Sequence, residues 1–149
     1  MREILFRGKR TDNGEWVEGY YYKAKYCRTD DELCDYITVP HPKEYNEPSS
    51  HYIVNPETVG QYTGLKDKNG TKIFEGDIAK CVDQNNGGSF TAIVSFGNPN
   101  REYNWGFQLV KMGRDSLNTD ILLWVDMEET GAYIEVISNI YDAAKTIGG

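Results

Sequence analysis

Apolar and polar residues alternate in short runs along most of this chain, and turn-forming residues separate the runs. Such alternation is typical of half-buried β-strands. Helical periodicity is confined to 55–59, 127–130 and 142–147, each a turn or two. The pattern therefore predicts an all-β protein. The runs that predict strands are 4–8, 15–22, 36–39, 52–54, 62–65, 71–74, 78–82, 90–96, 103–110, 121–125 and 133–137.

Two turn signals divide the middle of the chain. Asn69-Gly70 is a strong signal for a hairpin, because a type I′ turn requires a positive φ at both of its central residues. Gly76 and Asp77 form the second signal, and a new strand over 78–82 follows them. Gly76 permits a sharp bend, and Asp77 is expected to accept a hydrogen bond from a neighbouring backbone N–H. We therefore assign Asn69, Gly70, Gly76 and Asp77 a structural role.

The length of 149 residues suits one domain or two small modules. Residues 1–59 predict an N-terminal β module that contains a long polar and proline-rich loop. Residues 60–149 contain a series of short strands, and five strands after residue 75 suit an SH3-like barrel. The fold class that we predict is mainly β, with an N-terminal β-hairpin or small sheet followed by an SH3-like β-barrel.

Composition supports this class and limits the function. The chain has 9 Val, 11 Ile and 11 Tyr against 7 Leu, a balance that favours pleated surfaces over helices. Its formal net charge is −7. Residues 1–59 hold 8 basic and 11 acidic side chains, and residues 60–149 hold 8 and 12. Because neither part is basic, strong phosphate-driven binding of nucleic acid is disfavoured.

The cysteines and the apolar runs predict the compartment. Cys27, Cys34 and Cys81 form an odd and sparse set, which fits a reducing compartment better than a disulfide framework. The first residues contain no apolar signal-peptide region. No apolar run approaches the roughly 20 residues of a membrane helix. We expect an intracellular protein without membrane association.

Candidate catalytic and metal-binding residues are few. His41 and His51 flank Glu44 and Glu47, and imidazoles with carboxylates can bind a transition metal. The wide spacing and the proline-rich setting favour a loop without a metal. Motifs for an activated nucleophile, a phosphate-binding loop or a zinc protease are absent from the sequence. We expect no catalytic residue, no metal and no cofactor.

Tyr20, Tyr21 and Tyr22 form a run of three aromatic side chains. In a strand, alternation places Tyr20 and Tyr22 on one face and Tyr21 on the other. Tyrosines pack in cores and between subunits, and they also form partner-binding surfaces. Stacking on single-stranded bases would require a basic groove as well. Core or subunit packing and a partner surface are therefore both open interpretations.

Three segments of the chain resemble the YopX family, a group of small phage and prophage proteins of bacteria. They occur in the order and at the spacing typical of that family. Ser138 replaces the usual glycine, and residues 25–50 align with nothing in it. The segments are Met1-Arg2-Glu3-Ile4-x-Phe6-Arg7, Gln61-Tyr62-Thr63-Gly64-Leu65-x-Asp67-x-Asn69-Gly70-x-x-Ile73-x-Glu75-Gly76-Asp77-Ile78 and Ile137-x-Asn139-Ile140-Tyr141-Asp142.

The resemblance implies a mostly β protein with an SH3-like barrel in its C-terminal part and a tendency to self-associate. It carries no established activity, so no catalytic or binding residue is transferred. We predict a phage-encoded, non-catalytic interaction protein of the bacterial host cytoplasm. It is expected to form a homo-oligomer and to bind a host or phage protein. A nucleic-acid-associated small barrel and an enzyme acting on a small molecule are the alternatives.

Overall fold

The structure is a computed structural model. The chain divides into two compact units, Met1–Tyr62 and Thr63–Gly149, which are presented here in turn. The residues that the structure describes are 3–25, 33–39, 50–84, 87–97, 106–112, 118–125 and 131–143.

The first unit contains an antiparallel sheet with the strand order β4-β3-β2-β1-β5. A 3-10 turn over Pro56–Thr58 precedes β5, and the side chain of Asn55 caps this turn by accepting a hydrogen bond from Glu57 N–H. Successive strands pair with each other from β1 to β4, whereas β5 returns to pair with β1. The strands are β1 (Phe6–Lys9), β2 (Trp16–Ala24), β3 (Cys34–Val39), β4 (Ser50–Ile53) and β5 (Gly60–Lys66).

One face of this sheet is apolar and largely buried. Ile37 is fully buried at its centre, and the rings of Phe6 and Tyr21 lie 5.6 Å apart. At Gly19, β2 lies close to the backbone of β3. A Cβ atom at Gly19 would overlap the carbonyl oxygen of Thr38 and lie 2.9 Å from its carbonyl carbon. The packing therefore requires glycine at this position.

The second unit contains the end of β5, which pairs with β6, and a five-stranded antiparallel sheet with the order β10-β9-β8-β7-β11. A one-turn helix, α1 (Leu122–Val125), follows β10. Residues 140–143 are helical as well. The strands are β6 (Lys72–Phe74), β7 (Asp77–Asp83), β8 (Gly88–Phe96), β9 (Phe107–Lys111), β10 (Asn118–Asp120) and β11 (Ala132–Asn139).

A single cluster of apolar side chains forms the core of the second unit. Its members alternate along β7 and β8, as the period of two in a strand requires. Cys81 is fully buried among them, and burial raises the pKa of its thiol to about 12. The buried members are Ile73, Ala79, Cys81, Ala92, Val94, Leu109, Ile121 and Ile134.

The predicted all-β class is confirmed, but one predicted strand is wrong. Residues 121–125 were expected to be extended, and the structure has helix α1 there instead. The Asp120 carboxylate accepts a hydrogen bond from Leu122 N–H and so caps the helix. Ile121 enters the core while Trp124 packs edge-on against Phe90, at 5.1 Å between ring centres. A short apolar run is compatible with a strand or with a helix. Here the Asp120 cap favours the helix.

The SH3-like barrel stays a prediction. Among the described strands of the five-stranded sheet, β10 and β11 are the edge strands. Among the residues that the structure describes, no pairing joins these two strands into a closed barrel. Residues 103–105 of the predicted strand 103–110 lie outside the described part, as does the predicted helical turn at 127–130.

The turn between β5 and β6 differs from the predicted type I′ turn. Gly70 N–H donates to Asp67 O at 3.0 Å, and Asp67 N–H donates to Thr71 O at 2.8 Å. The loop is therefore three residues long and spans Lys68, Asn69 and Gly70, with Gly70 in the left-handed region at φ 81°. Hairpins of this length place glycine at the third loop position. The sequence located the turn correctly and misjudged its length by one residue.

The left-handed backbone of Gly70 gives the first testable prediction. Gly70→Val should lower the free energy of unfolding by about 1–3 kcal/mol, because a β-branched residue rarely adopts a positive φ. A Cβ atom there meets no atom within 4 Å, so any loss reports backbone strain alone. Gly70→Asn is the matched control, since asparagine tolerates this conformation. Equal thermal stability of the valine variant and the wild type would contradict the strained turn.

Two further findings concern the cysteines and the helices. Cys34 is disulfide-bonded, whereas Cys81 is a free thiol. The expectation that the cysteines are all reduced is therefore wrong for Cys34. Among the described residues, the helices are too short or too polar to span a membrane.

Candidate functional site

The face of the first sheet opposite Ile37 contains a group of aromatic and polar side chains. The register pairs Tyr20 with Thr38 and Tyr22 with Tyr36 across β2 and β3. It also pairs residues of β3 with residues of β4. Because directly paired residues share a face, six side chains lie together. We call them the tyrosine surface, and they are Tyr20, Tyr22, Tyr36, Thr38, His51 and Ile53.

His51 connects three strands within the tyrosine surface. Its Nδ1 lies 2.8 Å from the hydroxyl oxygen of Tyr22 and 2.9 Å from Oγ1 of Thr38. With the ring proton on Nε2, the single lone pair of Nδ1 is an acceptor that these two hydroxyl groups share. The imidazole also meets the Tyr22 ring edge to face at 6.0 Å. The contacts fix both rings, so this part of the surface is rigid before any partner arrives.

Stacking and exposure divide the tyrosines into different roles. The rings of Tyr22 and Tyr36 stack at 5.3 Å with an angle of 13° between their planes, and Tyr36 is buried beneath. Tyr20 is 58% exposed and Ile53 is 39% exposed. Exposed side chains of this size stabilise a complex when a partner covers them and removes them from water.

Tyr21 faces the other side of the sheet, as alternation predicts. Its hydroxyl donates to the Asp35 carboxylate at 2.6 Å. Burial, the hydrogen bond and the charge of Asp35 raise the pKa of Tyr21 to about 12. Tyr21 therefore belongs to the packing of the sheet, whereas Tyr20 and Tyr22 belong to the tyrosine surface.

Cations lie against an aromatic ring at the β1 end of the same face. The guanidinium carbon of Arg7 is 4.7 Å and Nζ of Lys9 is 5.3 Å from the centre of the Trp16 ring. Glu18 of β2 lies on the same face and is directly opposite Arg7 of β1. Charged side chains of both signs thus lie next to the uncharged tyrosine surface, with two cations and one anion.

The four residues assigned a structural role lie in two turns of the second unit. Asn69 and Gly70 occupy the β5–β6 loop. Gly76 has φ 91°, donates its N–H to Val94 O at 2.8 Å and accepts from Ile140 N–H at 2.9 Å. Asp77 is buried and accepts a hydrogen bond from Phe74 N–H at 2.8 Å. The expected bond from Asp77 to a neighbouring backbone N–H is therefore present.

A fifth turn residue, Asp67, connects more of the structure than these four. One carboxylate oxygen accepts from Asn69 N–H and Thr71 N–H, each at 2.9 Å. The other accepts from Val136 N–H of β11 at 2.9 Å. Asp67 thus fixes the loop and ties the hairpin to a strand 69 positions later. The sequence signal that could have revealed its local role is an Asp two residues before a turn residue.

The described residues provide little catalytic chemistry. The Cys81 thiol is buried with a raised pKa, so it is not a ready nucleophile. Within the described residues, no group of three or more His, Cys, Asp or Glu side chains could hold a metal ion. Of the histidine and glutamate combination considered above, His41, Glu44 and Glu47 lie outside the described residues. His51 is part of the tyrosine surface instead.

Comparisons with known proteins add one positive result. The family model described as YopX protein matches residues 5–147, which is nearly the whole chain. No curated protein matches the chain.

Proposed function

The chain belongs to the YopX family, and from this premise we propose that it is a phage or prophage protein that acts without catalysis by binding other proteins, including copies of itself. The observation that carries the proposal is the exposure of Tyr20 and Ile53 on a face whose neighbouring rings are already fixed. Large exposed apolar side chains beside ordered aromatic rings are typical of interface anchors.

Rigidity favours binding at the tyrosine surface. Ordering a flexible side chain on association costs free energy, and that cost is smaller where the side chain is already held. Tyr22 is stacked on Tyr36 and hydrogen-bonded to His51. A partner that covers Tyr20 therefore meets a surface that needs little rearrangement.

The lack of charge on the tyrosine surface allows a second copy to be the partner. The chain has a net charge of −7, so two copies repel each other at long range. The tyrosine surface contains no carboxylate, and Glu18 beside it is paired with Arg7. A two-fold interface places the same patch on both subunits, and this patch brings no like charges together. The self-association implied by the family resemblance is therefore compatible with the charge at this face.

Sedimentation velocity of wild type and Tyr20→Ser tests the proposal. The wild type is expected to sediment as an oligomer whose fraction rises with concentration, and Tyr20→Ser is expected to shift it toward the monomer. Ile137→Ser is the control, because Ile137 is also strongly exposed, at 54%, but lies on β11. A monomeric wild type, or equal effects of the two variants, would contradict the role of the tyrosine surface in self-association.

A tagged pull-down from bacterial lysate, with and without nuclease, tests the binding of other partners. The proposal is supported if the wild type still captures a host or phage protein after nuclease treatment and Tyr20→Ser does not. Nucleic acid that is lost on nuclease treatment would favour the nucleic-acid-associated alternative instead. We place the site of action in the bacterial host cytoplasm, where phage proteins are synthesised.

A further inference from the structure

We propose that the second unit contains a separate binding site for a carboxylate group on the acidic side chain of a protein partner. The site is a notch beside the edge strand β11 and encloses about 30 Å³. A single water occupies roughly half of that volume or less, so the notch has room for one small polar group. The lining residues are Lys66, Asp67, Lys68, Trp124, Ala132, Tyr133 and Ile134.

The notch is rich in hydrogen-bond donors. Lys66, Lys68 and Trp124, whose side chains carry N–H donors, line it, and Nζ of Lys68 lies beside Tyr133, another lining residue. Within the described residues, Lys66 makes no ion pair and the indole N–H of Trp124 makes no hydrogen bond. Among the described residues, Lys66 and the Trp124 indole therefore have no partner that a ligand would have to displace.

The carboxylate that lines the notch is already in use. The carboxylate of Asp67 accepts from three backbone N–H groups. Glu135, next to the notch, is 3.4 Å from Nζ of Lys68. A ligand that brings acceptor atoms therefore suits a notch lined by Lys66 and Trp124. A carboxylate meets this requirement, because two oxygens can accept from an ammonium and an N–H together.

The walls of the notch favour a side chain over an isolated ion. Nζ of Lys68 lies 4.2 Å from the centre of the Tyr133 ring, which holds the ammonium in place. Trp124 is fixed edge-on against Phe90. The aromatic and aliphatic walls can cover the methylene groups of a glutamate while the ammonium groups bind its carboxylate. The occupant that we assign is thus an acidic side chain of another protein.

The test follows the indole N–H signal of Trp124 by NMR, assigned with Trp124→Phe, during titration with a tetraglutamate peptide blocked at both ends. A saturable shift is expected, and Lys66→Gln should weaken the apparent affinity by about tenfold. Lys25→Gln is the matched control, because Lys25 is an exposed lysine of the first unit. Tetraglutamine at the same ionic strength should produce no shift.

Three results would overturn the assignment. They are an unchanged indole signal, an equal response to tetraglutamine, and an equal loss of affinity in Lys66→Gln and Lys25→Gln. Tighter binding of inorganic phosphate than of tetraglutamate would also overturn it, since the ligand would then be a phosphate. The site and the tyrosine surface share no residue, so failure here and failure of self-association are separate outcomes.

Discussion

Asp67→Ala is expected to lower the free energy of unfolding by about 4 kcal/mol. The substitution removes the acceptor of three backbone N–H groups, those of Asn69, Thr71 and Val136. Hydrogen bonds to charged groups contribute more than neutral ones, and a donor left without a partner costs desolvation free energy. For a chain of this size the loss corresponds to a decrease in Tm of roughly 12 °C.

Two companion variants separate the carboxylate of Asp67 from its volume. Asp67→Asn keeps the size and one acceptor oxygen but turns an N–H₂ group toward a donor, so an intermediate loss is expected. Asp12→Ala removes an exposed carboxylate whose described partner is Arg10 and should change Tm little. Hydrogen exchange of the Asn69, Thr71 and Val136 amides measures the local effect. Wild-type protection of all three in Asp67→Ala would show that the carboxylate is dispensable.

Gly19→Ala is expected to lower the free energy of unfolding of the first unit by about 3 kcal/mol. The added methyl group would overlap the carbonyl of Thr38, and that atom belongs to the backbone of a paired strand. The overlap can be relieved only by moving β2 away from β3. Thermal unfolding followed by circular dichroism measures the loss.

Gly88→Ala provides the control for Gly19→Ala. Gly88 also lies in a strand, but a Cβ atom there meets no atom within 4 Å. Its substitution should therefore leave Tm unchanged or raise it slightly, because alanine restricts the unfolded chain. Similar losses in the two variants would mean that the close approach of β2 and β3 is not the cause. Since Gly19 lies beside Tyr20, Gly19→Ala should also weaken self-association.

The sequence predicts features that depend on local alternation and misses those that depend on distant pairing. The opposite orientation of Tyr20 and Tyr21 follows from the period of a strand, and the structure has it. That Tyr36 and His51 join Tyr20 on one face depends on the register of β2, β3 and β4. Register is set by packing and by turn geometry. The alternation within one strand does not predict it.

The same limit applies to the second unit. Asn69-Gly70 located the turn, but the loop length depends on the side chain of Asp67, which takes up two loop amides. The partner of Asp67 in β11 is 69 positions away and has no local signature. The helix at Leu122–Val125 was missed because four apolar residues in a row fit a strand equally well.

The bond between Asp67 and Val136 has a consequence for synthesis of the protein. Domains generally fold as units while the ribosome extends the chain from its N-terminus. The described pairings of the first unit involve residues up to Gln61, so they can form while the rest is still being made. The β5–β6 hairpin cannot reach its final state until β11 has left the ribosome. A message cut short before β11 would therefore yield a protein with a complete first unit and a second unit that has no partner for its hairpin.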